Sequence, residues 1–216
     1  MSSTSFLDDL ANYAASRLAV GRIVWLWLAL SACVLIVSRE ILWVSAITGS
    51  LLAAMLIAQF RLWDDLADRD YDAVLHPQRV LVTTSHTRRF IYLCGLLTLP
   101  ITALLGIGYG ITHLAVYGAL LIVMFVLYAA GGATLPRLLR EHLVLLKYPV
   151  FIWLGAQDAD PVRWAWVSAV AYLSLGLFEL ISHPDLPRSV AWRRVMSVEI
   201  VALAAVVIIL STRIPS

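Results

Sequence analysis

The sequence predicts an all-α protein, a polytopic transmembrane helical bundle of about seven spans. Three observations predict it. Apolar residues make up 61% of the 216 residues and charged ones 14%, where a soluble domain carries about a quarter charged. Mean hydropathy is +0.86. Whole stretches carry no charge, residues 41–60 among them, and a helix of about 20 apolar residues crosses a bilayer.

Residues 1–21, with SFLDDLANYAASRLAVG, form a polar, amphipathic lead-in and not a cleavable signal peptide. Spans are expected at 22–38, 41–62, 90–111, 113–130, 142–156, 161–182 and 195–212. The fifth is short and holds Lys147 and Pro149, so it is the one to tilt, kink or leave the lipid. The seventh carries Glu199, which should face protein. Gly131 to Arg137 and the stretch after Pro184 read as turns. Without repeats, low-complexity tracts or a long linker, residues 1–216 form one domain.

Basic residues set the orientation. With the N-terminus in the cytoplasm, the inner face receives Arg17, Arg22, Arg61, Arg69, Arg79, Arg88 and Arg89. It also receives Arg137, Arg140, Lys147, Arg188, Arg193 and Arg194, which leaves only Arg39, Arg163 and Arg213 outside. The net charge of +2 is therefore a topology signal and not a nucleic-acid signature. Cys33 and Cys94 fall inside spans, without a ligand partner at useful spacing, and read as small buried hydrophobes.

Asp64, Asp65, Asp68, Asp70 and Asp72 crowd into nine residues at the end of the second span. On one helix, Asp64, Asp65, Asp68 and Asp72 would share a face. Like charges at that spacing repel by about 0.2–0.5 kcal/mol per pair. Acids at a helix C-terminus also oppose the macrodipole by about 0.3–1 kcal/mol each. Acids bias topology weakly, so a solvated helix end explains this cluster less well than a bound cation. Hard oxygen ligands suit Mg²⁺; Asp70 stands aside.

Arg79, Arg137, Arg140 and Lys147 are expected on the same face, and acids, Mg²⁺ and basic forks together suit a diphosphate. Positive-inside bias explains most basic residues taken singly; Arg79 and Lys147 stand out by place and depth. A second acidic patch, Glu179, His183 and Asp185, closes the sixth span. It could hold a second cation or the far side of a diphosphate; alternatively His183 caps the last helical turn and Glu179 pairs with an Arg. His76, His86, His113 and His142 are scattered. There is no GxSxG elbow, Gly-rich phosphate loop or HExxH pair.

The pattern Asp64-Asp65-x-x-Asp68-x-x-x-Asp72, followed by His76-Pro77-Gln78-Arg79, resembles the first signature of the UbiA superfamily of intramembrane prenyltransferases. Tyr128 with LPRLLR ahead of the fifth span, and the acidic patch closing the sixth, extend the resemblance from about residue 10 to the C-terminus. Three departures accompany it. Asp64 stands where most members have Asn, the second motif pairs Glu179 with His183, and seven spans replace nine.

The resemblance implies Mg²⁺ on Asp64, Asp65, Asp68 and Asp72, holding the diphosphate of an isoprenoid donor. Arg79, Lys147, Arg137, Arg140, Glu179 and Asp185 would bind that diphosphate. Asp65, Asp68, Arg79 and Lys147 would carry catalysis, by stabilising the leaving group while an aromatic or other lipophilic acceptor attacks. The expected setting is membrane lipid, a bacterial inner (plasma) membrane with the site on the cytoplasmic side. A homo-oligomer would supply the wall that the missing helices leave open. Alternatives are a terpene cyclase of the same type and a non-catalytic UbiA-like membrane protein.

Overall fold

Proline and the apolar runs dictate where this chain bends. The computed structural model describes residues 5–213 except 20, 41, 135–136 and 183–189. It is all-helical, with no strand among the described residues. The helices are α1 (Phe6–Tyr13), α2 (Gly21–Val37), α3 (Trp43–Ala67), α4 (Arg69–Leu75), α5 (Val80–Thr83) and α6 (Thr87–Leu96). They continue with α7 (Thr98–Gly108), α8 (Ile111–Thr134), α9 (Arg137–Leu145), α10 (Lys147–Gly155), α11 (Pro161–Ser182) and α12 (Val190–Arg213).

Four helical segments are long and apolar enough to cross a membrane: Trp43–Ala67, Thr87–Gly108, Ile111–Ala129 and Pro161–Ile181. A fifth crossing arises if Phe6–Leu18 and Gly21–Val37, bent by 65°, act as one span. The expected fifth span is instead two nine-residue helices, α9 and α10. Pro149 explains the break. Its ring collides with the carbonyl four residues back, and residue 145 is where α9 ends. Pro100 does the same in milder form, since α6 stops at Leu96 and α7 resumes at Thr98. The residues of the seventh expected span fall within α12, which is not among those four segments.

α2, α3, α7, α8 and α10 enclose the core, where Leu30, Leu52, Leu56, Phe60, Ile101 and Phe151 are fully buried. At Gly49 and Gly155, α3 and α10 come so close that a Cβ on Gly49 would stand 2.5 Å from the Gly155 carbonyl oxygen. Gln59 is a satisfied polar node inside this core. It donates to Thr98 Oγ1 (2.9 Å) and accepts from the Tyr117 hydroxyl (2.7 Å).

A second cluster of Tyr13, Leu62, Leu81, Phe90 and Cys94 seats the N-terminal segment on α3 and α6. α1 begins on a capping box at Ser5 and Asp8 and runs into a π-helical turn, Ala14–Leu18. Its buried Asp9 accepts from Thr84 Oγ1 (2.5 Å) and lies 3.1 Å from His86 Nδ1. Phe6 packs edge-on against Phe90 at 5.3 Å. Cys33 and Cys94 are free thiols, as the sequence suggests.

Candidate diphosphate site

The acidic end of α3 divides into separate halves. One helix through Asp72, with four aspartates on a face, is the expectation from spacing. α3 instead ends at Ala67, and Asp68 sits at the junction with α4 with φ −90° and ψ 7°. Consecutive residues also differ by about 100° around a helix, which sends Asp64 and Asp65 toward different neighbours.

Asp64 points toward α8 and α10. It accepts from Lys147 Nζ at 2.5 Å and from the Tyr128 hydroxyl. Lys147, at the start of α10, is 3% exposed in its side chain against 19% for Asp64. Its ammonium also lies 5.5 Å from the Tyr148 ring. A row of aromatic rings links the partners of the pair, Tyr128–Trp63–Phe60–Phe151–Tyr148, with successive centroids 5.4, 5.8, 5.2 and 5.6 Å apart.

Asp65 points toward the N-terminal segment. Arg17 grips both its oxygens in a fork, with Nε donating at 2.9 Å, the bidentate arrangement that guanidinium and carboxylate favour. The Tyr13 hydroxyl donates to Asp65 at 3.0 Å, and Arg61, one turn back on α3, lies 3.3 Å away. Asp72 on α4 pairs with Arg79 and is buried. Asp68 is half exposed and lies 3.8 Å from Arg140 of α9. Partial desolvation raises its carboxyl above the ordinary carboxylate range, Arg140 pulls it down, and Asp64, Asp72 and Asp65 push it up.

Each expected ligand thus has a basic partner within the chain. Five cations (Arg17, Arg61, Arg79, Arg140, Lys147) face four carboxylates, so the electrostatic cost read from the sequence is offset from inside. Among the described residues, no three His, Cys, Asp or Glu side chains converge as a metal ion requires. The donor set does not form a cage for a resident ion. It fits Mg²⁺ arriving with a diphosphate, because that ion usually takes one or two carboxylates and fills its shell with phosphate oxygens and water. Asp64 and Asp68, one turn apart, are the two that could serve as such a pair.

Of the remaining expected residues, Glu179 is exposed near the end of α11, and Tyr148 lies within electrostatic reach of both Glu179 and Asp64. His183, Asp185 and the Arg137 side chain lie outside the described residues. Sequence reasoning missed Arg17, Tyr13 and Arg61. The Arg61–Asp65 pair was visible as an i, i+4 spacing. The Tyr13–Arg17 spacing marks one face of a helix, though its partner 48 residues on could not be read from it. Comparison with family models, with curated proteins and with solved structures gives no match.

Proposed function

We propose that this chain is a UbiA-like prenyltransferase of about seven spans, transferring an isoprenoid group from a prenyl diphosphate to a lipophilic acceptor. The buried Asp64–Lys147 pair carries the reading. A lysine so far from water is costly unless paired, and here it is paired at the end of an apolar helix beside four more cations. The surplus of one cation over the carboxylates suits an anion, and a magnesium diphosphate keeps a net negative charge. Lys147, Arg79 and Arg140 would grip phosphate oxygens, and Asp64 and Asp68 would hold a Mg²⁺ ion that supplies charge neutralisation there.

Bound Mg²⁺ would neutralise charge on the departing diphosphate. The chain's own part is to grip that leaving group with guanidinium and ammonium donors and to keep water from the allylic cation. The aromatic row beside Asp64 suits that second task, since ring faces attract cations. A cavity of about 210 Å³ between α2 and α3, lined by Leu18, Ile23, Trp27, Ala54 and Ala58 among others, offers an apolar surface beside Arg17. It is smaller than the roughly 300–1,000 Å³ of usual ligand pockets, so a tail placed there would extend into lipid. The basic-residue bias favours a cytoplasmic position for this end, and a bacterial-type inner membrane is the setting this reading takes.

The test is binding of farnesyl diphosphate to the purified full chain, with and without Mg²⁺, in wild type, Asp64→Asn and Asp68→Asn. Mg²⁺-dependent affinity should fall at least about tenfold in each variant, a loss of about 1.4 kcal/mol. Unchanged affinity in both would sink the proposal. Geranylgeranyl diphosphate without acceptor separates transfer from cyclisation, since hydrocarbon products would mark a cyclase.

A further inference from the structure

The cavity between α2 and α3 is walled almost entirely by hydrocarbon, with Leu18, Ile23, Val24, Trp27, Ala54 and Ala58 in its lining. The indole nitrogen of Trp27 is already spent, since Nε1 donates to the Ser50 carbonyl at 2.9 Å. A water there would lack the two to four polar partners it needs, so a hydrocarbon chain is the fitting occupant. Ala54 and Ala58, one turn apart on α3, make the space by their small size. Val24 at its edge is 40% exposed, so the groove opens sideways, toward lipid.

Past Ala58 the same face of α3 turns basic. Arg61 follows by three residues, about 4.5 Å of helix rise, and Arg17 adjoins Leu18 of the lining. Both guanidiniums serve one carboxylate, Asp65: Arg17 by its fork, Arg61 at 3.3 Å. Asp64, Asp68 and Asp72 have one basic partner each, so the surplus positive charge of the acidic end lies at the mouth of this groove. The Arg61 side chain is 32% exposed, and its Nε has no hydrogen-bond partner.

We propose that the α2–α3 groove seats one anionic phospholipid, an acyl chain against Ala54 and Ala58 and the phosphodiester on Arg61 and Arg17. The inference does not rest on prenyl transfer; a prenyl tail would contend for the same groove. A zwitterionic lipid brings a cation with its phosphate, which two guanidiniums around one carboxylate disfavour. An anionic headgroup brings none. The basic-residue bias favours the cytoplasmic leaflet for this end, and that leaflet is where anionic lipid gathers and basic pockets between helices take up its headgroups. A lipid held there would fasten the N-terminal segment, α2 and α3 together.

The experiment releases the full chain from detergent micelles holding equal amounts of dioleoylphosphatidylglycerol and dioleoylphosphatidylcholine, without prenyl diphosphate, and counts the retained lipids by native mass spectrometry. Wild type should keep the anionic lipid about fivefold over the other, the ratio for one basic side chain near an anionic headgroup. Arg61→Gln should bring the two lipids to parity. Arg61→Lys retains the charge and should retain the preference, which tells loss of the site from loss of the fold. Ala58→Leu fills the groove and should lower retention of both lipids. Arg22→Gln removes a cation beside Ile23 but over the Phe178 ring of α11, and should leave the preference as it is. Glycerol 3-phosphate, a headgroup without chains, should not be retained. Equal retention of both lipids by wild type, an equal loss of preference in Arg22→Gln, or undiminished retention by Ala58→Leu overturns the proposal. Retention of glycerol 3-phosphate as firm as that of the lipid overturns it too, by marking a phosphate site in place of a lipid site.

Discussion

Replacing Lys147 by methionine removes the charge opposite Asp64 and keeps most of the side chain's volume. Asp64 would keep the Tyr128 hydroxyl as a donor and its 19% exposure. Breaking a buried ion pair from one side costs about 3–5 kcal/mol, and those two mitigations put this variant at the low end, about 3 kcal/mol. Asp64→Asn is the harsher change. It leaves the ammonium of a side chain 3% exposed with a neutral amide oxygen and the Tyr148 ring at 5.5 Å in place of a counter-charge, so about 4 kcal/mol is expected. At about 2–4 °C per kcal/mol for a chain of this size, Lys147→Met should lower Tm by about 6–12 °C. The double variant leaves neither charge stranded and should recover most of that loss, a coupling of about 2–3 kcal/mol. It should not recover diphosphate binding. Thermal unfolding of the four proteins in one detergent is the assay. Strictly additive single variants, or a Lys147→Met Tm equal to that of wild type, would refute the reasoning.

Gly49→Ala should destabilise by about 1–3 kcal/mol through overpacking, read in the same melts, because its Cβ would meet the Gly155 carbonyl and Val34. Gly108→Ala, with nothing within 4 Å of the added carbon, is the control and should leave Tm in place. Thr84→Val removes one of the donors to Asp9. Limited trypsin digestion at Arg17 or Arg22 should accelerate about tenfold if the N-terminal segment then opens more readily by one hydrogen bond. Asp160 accepts from the Val162 and Arg163 backbone N–H groups at 2.9 Å each, and those bonds lower its carboxyl pKa. A depressed carboxylate stabilises above its unfolded value near 3.9 and loses that effect as pH falls through the folded value. Amide exchange at Val162 and Arg163 should therefore quicken below about pH 4, and Asp160→Ala should be fast at every pH.

The apolar runs made the helices legible, because length and hydropathy alone decide whether a segment can span. Helix breaks were less so. Pro149 marked the fifth span as irregular, yet the break four residues earlier follows from the carbonyl that its ring would strike. The aspartates were legible as a cluster in need of positive charge. That Asp64 and Asp65 serve different partners was not, since Lys147 and Arg17 are far from them along the chain. Glu199 was readable as facing protein. Its partner His142 was not, because a scattered histidine in sequence gives no sign of what lies opposite it. Local spacing is written in the sequence; long-range pairing depends on which helices pack together.

The two halves of the acidic end are also separated in time. Arg17 precedes Asp65 along the chain, so Asp65 meets a counter-charge already made. Asp64 must wait for Lys147, 83 residues later. At synthesis rates of about 5–20 residues per second, that interval is on the order of 4–17 s. Throughout it, an unneutralised carboxylate at the end of α3 resists entry into hydrocarbon and holds the helix at its depth while later spans insert. The Asp64–Lys147 ion pair would then double as a fastener of the nascent bundle, made before α11 and α12 follow. Its two charges act in sequence, the acid as a stop during insertion and the lysine as the latch once α10 arrives.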